Sequence, residues 1–139
     1  MSSMGVLVVE DFVPFSQFIR STLADRPEVR VIGEVADGLE AVQKAVLLEP
    51  DLVLLDVGLP TLSGIEAARQ IRKLAPKSKI IFVTQETSCE VVKEAFHLGA
   101  WGYVSKTNAA FDLLAAVDAA LEGRYFLSAG LSIWNAEKQ

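Results

Sequence analysis

Hydrophobic residues along this chain follow two rhythms that take turns. Apolar runs of four occupy 6–9, 52–55 and 80–83, a length that suits strands and is too short for a typical helix. Unbroken apolarity of this kind marks strands buried on both faces of a parallel sheet. Two further candidates differ: residues 29–35 set Arg30 and Glu34 into a Val29, Val31, Val35 alternation, and Gly102, Tyr103 and Val104 make a very short run. Both suit the edges of a sheet. Between the strands the apolar spacing lengthens to the helical period of about 3.6 residues. Phe15, Phe18, Ile19, Thr22 and Leu23 mark a first helix, with Pro14 suited to its first turn. Leu39, Val42 and Val46 mark a second after Asp37, and Ile65, Ala68 and Ile71 a third. Val92, Ala95 and Phe96 mark a fourth, and Ala110, Leu113, Leu114, Val117 and Leu121 a fifth, with Asn108 as its cap. Ser63 with Glu66, and Thr87 with Glu90, are spaced as capping boxes.

Strand and helix thus alternate five times, the pattern of a doubly wound α/β domain whose parallel sheet is covered on both faces. Ligands of such folds bind beyond the carboxyl ends of the strands, where the winding reverses. Those ends carry chemistry here. The first buried strand runs into Glu10 and Asp11, the second into Asp56, the third into Thr84 and the last into Ser105 and Lys106. Three carboxylates drawn together repel one another unless a cation shares the site. Oxygen-only ligands without nearby His or Cys favour Mg²⁺ over zinc. With positions left open on that metal for a phosphoryl oxygen, Asp56 reads as a nucleophile of aspartyl-phosphate chemistry. Lys106 would hold a second phosphoryl oxygen as a point charge, and the Thr84 hydroxyl could donate to a third. Gly58 is expected to let the backbone turn tightly enough for its carbonyl to face the metal.

Composition narrows the class. At 139 residues with half of them hydrophobic, the chain supports one well-buried core and reads as one domain. Its apolar runs are too short to cross a bilayer, its start lacks the pattern of a secretory leader, and its single cysteine cannot form an internal disulfide; a cytoplasmic protein is expected. The formal charge of −5 and the scattered lysines and arginines argue against nucleic-acid binding by this segment. His97 has no evident metal partners and is expected on a helix surface; Cys89 is expected to be inert. Trp101 precedes the last strand and would suit a partner surface if exposed. Trp134 either covers the domain or belongs to a linker.

The stretches "VLVVED", "DLVLLDVGLP", "IIFVT" and "GYVSK" resemble, in order and spacing, the receiver domain of two-component response regulators. The resemblance covers about residues 5–123. It implies a flavodoxin-like (βα)5 fold with strand order 2-1-3-4-5, a receiver at 1–123, and a C-terminal extension or truncated linker at 124–139. It further implies that Asp56 accepts a phosphoryl group from a sensor histidine kinase, without enzymatic turnover of a substrate. Asp11 would ligate Mg²⁺ directly and Glu10 through water, Asp56 and the Gly58 carbonyl would complete the protein's ligands, and Thr84 and Lys106 would respond to the phosphoryl group. Tyr103 matches an aromatic switch position. The face of the fourth helix, last strand and fifth helix would serve as readout and as a homodimer surface. The tail "GRYFLS" resembles the segment leading to the helix-turn-helix output domain in the LuxR-type branch, where regulation of transcription would follow. Gln85 stands where the family usually has Ala, Gly or Ser, and Thr107 where many relatives have Pro.

Three other functions compete. A Mg²⁺-dependent phosphatase of the haloacid-dehalogenase type would place a second Asp two residues after the nucleophile, where Gly58 stands. A flavodoxin-like carrier would need a Gly/Ser/Thr-rich loop after the first strand to cradle phosphate, where Glu10 and Asp11 would repel it. A pseudo-receiver that binds partners without phosphorylation would be expected to lack a catalytic position, and none is missing, but Gln85 beside Thr84 keeps that reading open.

Overall fold

The computed structural model describes residues 3–131; Trp134 lies outside them. The strands are β1 (Met4–Val9), β2 (Val29–Val35), β3 (Leu52–Leu55), β4 (Lys79–Thr84), β5 (Gly102–Ser105) and β6 (Phe126–Leu127). They form one sheet in the order β2-β1-β3-β4-β5-β6, every neighbouring pair parallel. The helices are α1 (Val13–Leu23), α2 (Gly38–Leu48), α3 (Gly64–Leu74), α4 (Cys89–His97) and α5 (Ala109–Leu121), the last entered through a 3-10 turn at Lys106–Asn108. No helix among the described residues is long and apolar enough to cross a membrane.

The unbroken apolar runs are buried on both faces, as their composition requires. Successive side chains of a strand point to opposite faces, and β3 shows the division. Leu52 and Leu54 join Val6, Val8, Ile81 and Val83 in the layer under α1 and α5, where Ile19, Leu23, Leu113 and Val117 meet them. Val53 and Leu55 join Leu7, Val9, Ile80 and Phe82 in the opposite layer, with Ala41, Ala67, Ala68, Ile71 and Val92 from α2, α3 and α4.

Local expectations are corrected at five points. The strand 102–104 is not at an edge: all of Gly102–Ser105 is buried, and β6 pairs outside it through Gly102 with Phe126 and Tyr103 with Leu127. Leu39 and Val46 do not mark the buried stripe of α2, being 46% and 47% exposed; Ala41, Val42 and Ala45 line it instead. Small side chains there let the helix approach the sheet closely. α4 is capped by Ser88, whose hydroxyl accepts from the Val91 amide at 3.3 Å, and not by Thr87. Asn108 makes no side-chain cap because the 3-10 turn precedes α5; its amide nitrogen donates instead to the Ala129 carbonyl at 3.4 Å. Trp101 is only partly exposed, since Tyr125 stacks on it at 4.6 Å and the Lys79 ammonium lies 4.4 Å over its ring.

Candidate functional site

The carboxyl ends of β1, β3, β4 and β5 converge on a cleft of about 470 Å³ whose lining includes Asp11, Asp56, Gly58, Thr84, Gln85 and Lys106. Parallel pairing brings these positions level. The Glu10 amide donates to the Val35 carbonyl at 3.0 Å and the Asp56 amide to the Val9 carbonyl at 3.2 Å, so both acidic residues continue the ladder past the last apolar position. Asp56 is 7% exposed and Glu10 5%, whereas Asp11 is exposed.

Carboxylate oxygens of Glu10, Asp11 and Asp56 all lie within 4.8 Å of one another. The Lys106 ammonium sits between two of them, 2.9 Å from Glu10 Oε1 and 3.0 Å from Asp56 Oδ2. The contact with Asp56 is a well-directed hydrogen bond, whereas Glu10 Oε1 is buried and its contact with Lys106, though as short, is poorly directed. Its other oxygen accepts from the Phe12 amide at 3.0 Å. Burial raises the Glu10 carboxyl above its ordinary pKa despite Lys106 and the Phe12 amide, and the Asp56 charge adds to the rise. Lys106 shows the complementary balance: burial pulls its pKa down, but the bonds and charges of Glu10 and Asp56 hold it above the ordinary lysine value. The directions agree physically, because the deeper Glu10 has one cation to offset its lost hydration while Lys106 has two anions.

An underbonded buried oxygen beside two further carboxylates is the donor chemistry of a hard divalent cation, and Glu10, Asp11 and Asp56 fit Mg²⁺ better than a thiophilic metal. Gly58 holds the Asp56 side chain in place, its amide donating to Oδ1 at 3.3 Å. The glycine is not needed for the turn. Its φ is not positive, and a Cβ there would meet nothing within 4 Å. The glycine the site requires is Gly64, where a Cβ would fall 1.9 Å from the Asp56 carbonyl and 2.7 Å from Val57 Cα. Its amide donates to the Val57 carbonyl at 2.7 Å, which seats the start of α3 directly against the Asp56 loop.

Thr84 is 2% exposed, and its hydroxyl oxygen accepts from the Glu86 amide at 3.2 Å. The Glu86 carbonyl in turn accepts from the Tyr103 hydroxyl at 2.6 Å. Tyr103 is therefore turned inward, fully buried, and joined to Thr84 through one residue's backbone. Burial pushes its phenol far above the ordinary range, with help from the Glu86 and Asp56 charges. Gln85 is exposed and lines the cleft. His97 is exposed on α4 and Cys89 is a free, partly exposed thiol. Phe15 belongs to the site although its spacing marks only a core helix: the Lys106 ammonium lies 4.7 Å over its ring. Sequence spacing alone could not show that α1 passes beside Lys106, nor that Glu86 links Thr84 to Tyr103 by its backbone.

Residues 6–118 match the family model described as the response regulator receiver domain. The chain belongs to that family. This receiver is 38% identical over 112 residues to protein-glutamate methylesterase/protein-glutamine glutaminase 1 of Methanosarcina acetivorans, covering 79% of this chain and 32% of that protein. It is 36% identical over 115 residues to response regulator protein VraR of Staphylococcus aureus, covering 83% and 55%. The chain thus spans about a third to just over half the length of these curated relatives. Among solved structures, a LuxR-family two-component response regulator from Aurantimonas sp. SI85-9A1 superposes with a TM-score of 0.90 at 32% identity, covering 99% of this chain and 98% of that one. The response regulator domain of Thermotoga maritima CheB gives 0.80 at 31% identity, covering 86% and 97%. The flavodoxin-like receiver fold is shown, with β6 added outside the five-strand order 2-1-3-4-5.

Proposed function

We propose that this receiver accepts a phosphoryl group on Asp56 from a histidine kinase and so switches its affinity for a partner or an output domain. The observation that carries the reading is the setting of Asp56: a carboxylate 7% exposed at the floor of an open cleft, paired to an ammonium at 3.0 Å and flanked by two further carboxylates. Glu10, Asp11, Asp56 and the Gly58 carbonyl would hold Mg²⁺, which when bound supplies the charge neutralisation that phosphoryl oxygens need beside so many anions.

The remaining work falls to this chain's own groups. A carboxylate oxygen of Asp56 attacks phosphorus; the N–P bond of the donor phosphohistidine breaks with its electrons left on the imidazole, which takes a proton from solvent. Gly58 and Lys106 orient the attacking carboxylate. Lys106, already held by two anions and an aromatic face, exchanges part of its Asp56 contact for a phosphoryl oxygen. Thr84 uses its oxygen on the Glu86 amide and so keeps its proton to donate. If Thr84 moves toward the phosphoryl group, Glu86 is disturbed, and the Tyr103 hydroxyl bonded to that residue is disturbed with it. The switch is then a shift between two populations of the loop after β4 and of Tyr103.

Readout and homodimer contact belong to the face of α4, the last strands and α5. Support comes from Phe111 on α5, which is 87% exposed, and from an apolar groove of about 420 Å³ lined by Phe96, Tyr125, Phe126 and Leu127. The receiver proper would occupy 1–123, and 124–139 would be an extension toward an output domain, a helix-turn-helix regulator of transcription in the LuxR-type reading. The protein would be cytoplasmic, and its own chemistry would stop at gaining and losing the phosphoryl group. The test is intact mass after incubation with acetyl phosphate, with and without Mg²⁺, on wild type and Asp56→Asn. A Mg²⁺-dependent gain of one phosphoryl group, absent in the variant, is expected. No gain in folded protein that binds Mg²⁺ would make the domain a phosphorylation-independent interaction module.

A further inference from the structure

β5 carries Tyr103 and ends at Ser105, one residue before Lys106. Its outer edge is covered by the C-terminal segment: the Phe126 amide donates to the Trp101 carbonyl and the Ser128 amide to the Tyr103 carbonyl, each at 3.0 Å. Even spacing of a parallel ladder would next send the Ser105 amide to the Ser128 carbonyl. That carbonyl is used elsewhere. It accepts from the Leu131 amide at 3.2 Å across a tight turn with Gly130 at φ 87°, the conformation glycine supplies at the third position of such a turn. The Ser128 hydroxyl replaces it, accepting from the Ser105 amide at 3.0 Å and donating to Asp112 Oδ2 on α5 at 2.8 Å. Ser128 is 1% exposed. One turn further, Asn108, at the end of the 3-10 turn that begins with Lys106, donates to the Ala129 carbonyl at 3.4 Å.

We propose that Ser128 is a positioning residue for Lys106, and that through it the C-terminal extension and the phosphoacceptor cleft sense one another. The inference rests on the phosphoacceptor reading of Asp56. Its geometry is that of a clamp: on the two sides of Lys106, the Ser105 backbone amide and the Asn108 side-chain amide are bonded to consecutive residues of the extension, and the clamp is anchored to α5 by Asp112. Lys106 must keep its ammonium level with Asp56 Oδ2 at 3.0 Å, and a displaced backbone carries it away from that point. Coupling in one direction implies coupling in the other. Phosphorylation that draws Lys106 toward Asp56 pulls on Ser105 and loosens or tightens residues 126–131, the part of the chain that leads away from the domain.

The test compares wild type, Ser128→Ala, Ser128→Thr and Asp112→Ala in the full chain, using acetyl phosphate and Mg²⁺, with phosphorylation followed by intact mass. Ser128→Ala should lower the maximal phosphorylation rate by about tenfold, a fraction of the ~100-fold that a 1 Å misplacement can cost. Mg²⁺ affinity should stay within about twofold, because Lys106 is not a metal ligand; a rate loss that merely tracked general loosening would weaken both. Ser128→Thr, which keeps the hydroxyl, should recover most of the rate, and Asp112→Ala should lose part of it. If wild type takes up a phosphoryl group and Ser128→Ala does so at an unchanged rate, the clamp is refuted while the phosphoacceptor reading stands; if wild type takes up none, that reading itself fails. Amide exchange in the wild type tests the geometry without any variant. The Ser105 amide should exchange slowly and change its protection on phosphorylation, together with 126–131. Fast exchange at Ser105, or protection unchanged across phosphorylation, would overturn the proposal.

Discussion

Replacing Lys106 by Met removes one charge while keeping an unbranched stem against Phe15, and the structure sets the scale of the result. The side chains of Glu10 and Asp56 are 1% and 8% exposed and share this ammonium, itself 12% exposed. Without it two carboxylates whose oxygens lie within 4.8 Å face each other; at an effective dielectric of about 20 their repulsion is about 3.5 kcal/mol. Breaking a buried pair by removing one partner typically costs about 3–5 kcal/mol. Proton uptake limits that cost. One carboxyl can take a proton at about 1.4 kcal/mol per pH unit above its ordinary pKa near 4.3, so the loss at pH 7 is bounded at about 3.8 kcal/mol. Glu10 is the group that protonates, since burial already raises its pKa. The sign follows: the folded variant binds a proton that the unfolded chain has released, so its deficit is small near pH 4.5 and grows as pH rises, until it levels off above the folded-state pKa. Urea unfolding in EDTA at pH 5, 6, 7 and 8 should show a wild-type-minus-variant difference that rises to about 2–3 kcal/mol at neutral pH. Added Mg²⁺ should recover more stability in the variant than in wild type. A pH-independent loss, or a variant more stable than wild type at pH 8 without Mg²⁺, would refute the reasoning.

Gly64→Ala, which sets a Cβ against the Asp56 carbonyl, should cost about 3 kcal/mol by overpacking. Gly58→Ala, which meets nothing, should stay within about 0.5 kcal/mol; thermal unfolding of both variants checks the pair. Ser88→Ala should destabilise by about 1 kcal/mol and Thr87→Ala by far less, since only Ser88 caps α4. Tyr103→Phe should lose about 1 kcal/mol with its bond to the Glu86 carbonyl. It should also lose a pH dependence: the folded phenol is pushed up, so Tyr103 contributes stability below its unfolded pKa near 10 that disappears as pH rises further, and the wild-type-minus-variant difference should shrink above that pH. Tyr125→Ala uncovers Trp101 and should shift its fluorescence emission to the red.

The apolar runs made β1, β3 and β4 legible because burial on both faces leaves no alternation to misread, and the residues at their ends then fell together by parallel pairing alone. Helix faces were less legible. Leu39 and Val46 carry the larger apolar surface in α2, yet close packing on the sheet selects Ala41 and Ala45, a choice that spacing cannot rank. β6 was hidden for a related reason: two residues, Phe126 and Leu127, become a strand only because β5 offers an unpaired edge, which local pattern does not encode. At the site, residue types pointed to the acidic cluster and to Lys106, but backbone relations did not follow from them. The Glu86 link between Thr84 and Tyr103, and the close approach that makes Gly64 rather than Gly58 the constrained glycine, depend on loop geometry.

The central claim is that the Asp56 carboxylate takes the phosphoryl group. An acyl phosphate is reduced by borohydride to the alcohol whereas a free carboxylate is not, so reduction after incubation with acetyl phosphate and Mg²⁺, followed by peptide mapping, reads the modified position directly. Conversion of Asp56 to homoserine, Mg²⁺-dependent and abolished in Asp56→Asn, is the result expected. Reduction confined to Glu10 or Asp11, or no reduction in folded protein that binds Mg²⁺, would contradict it.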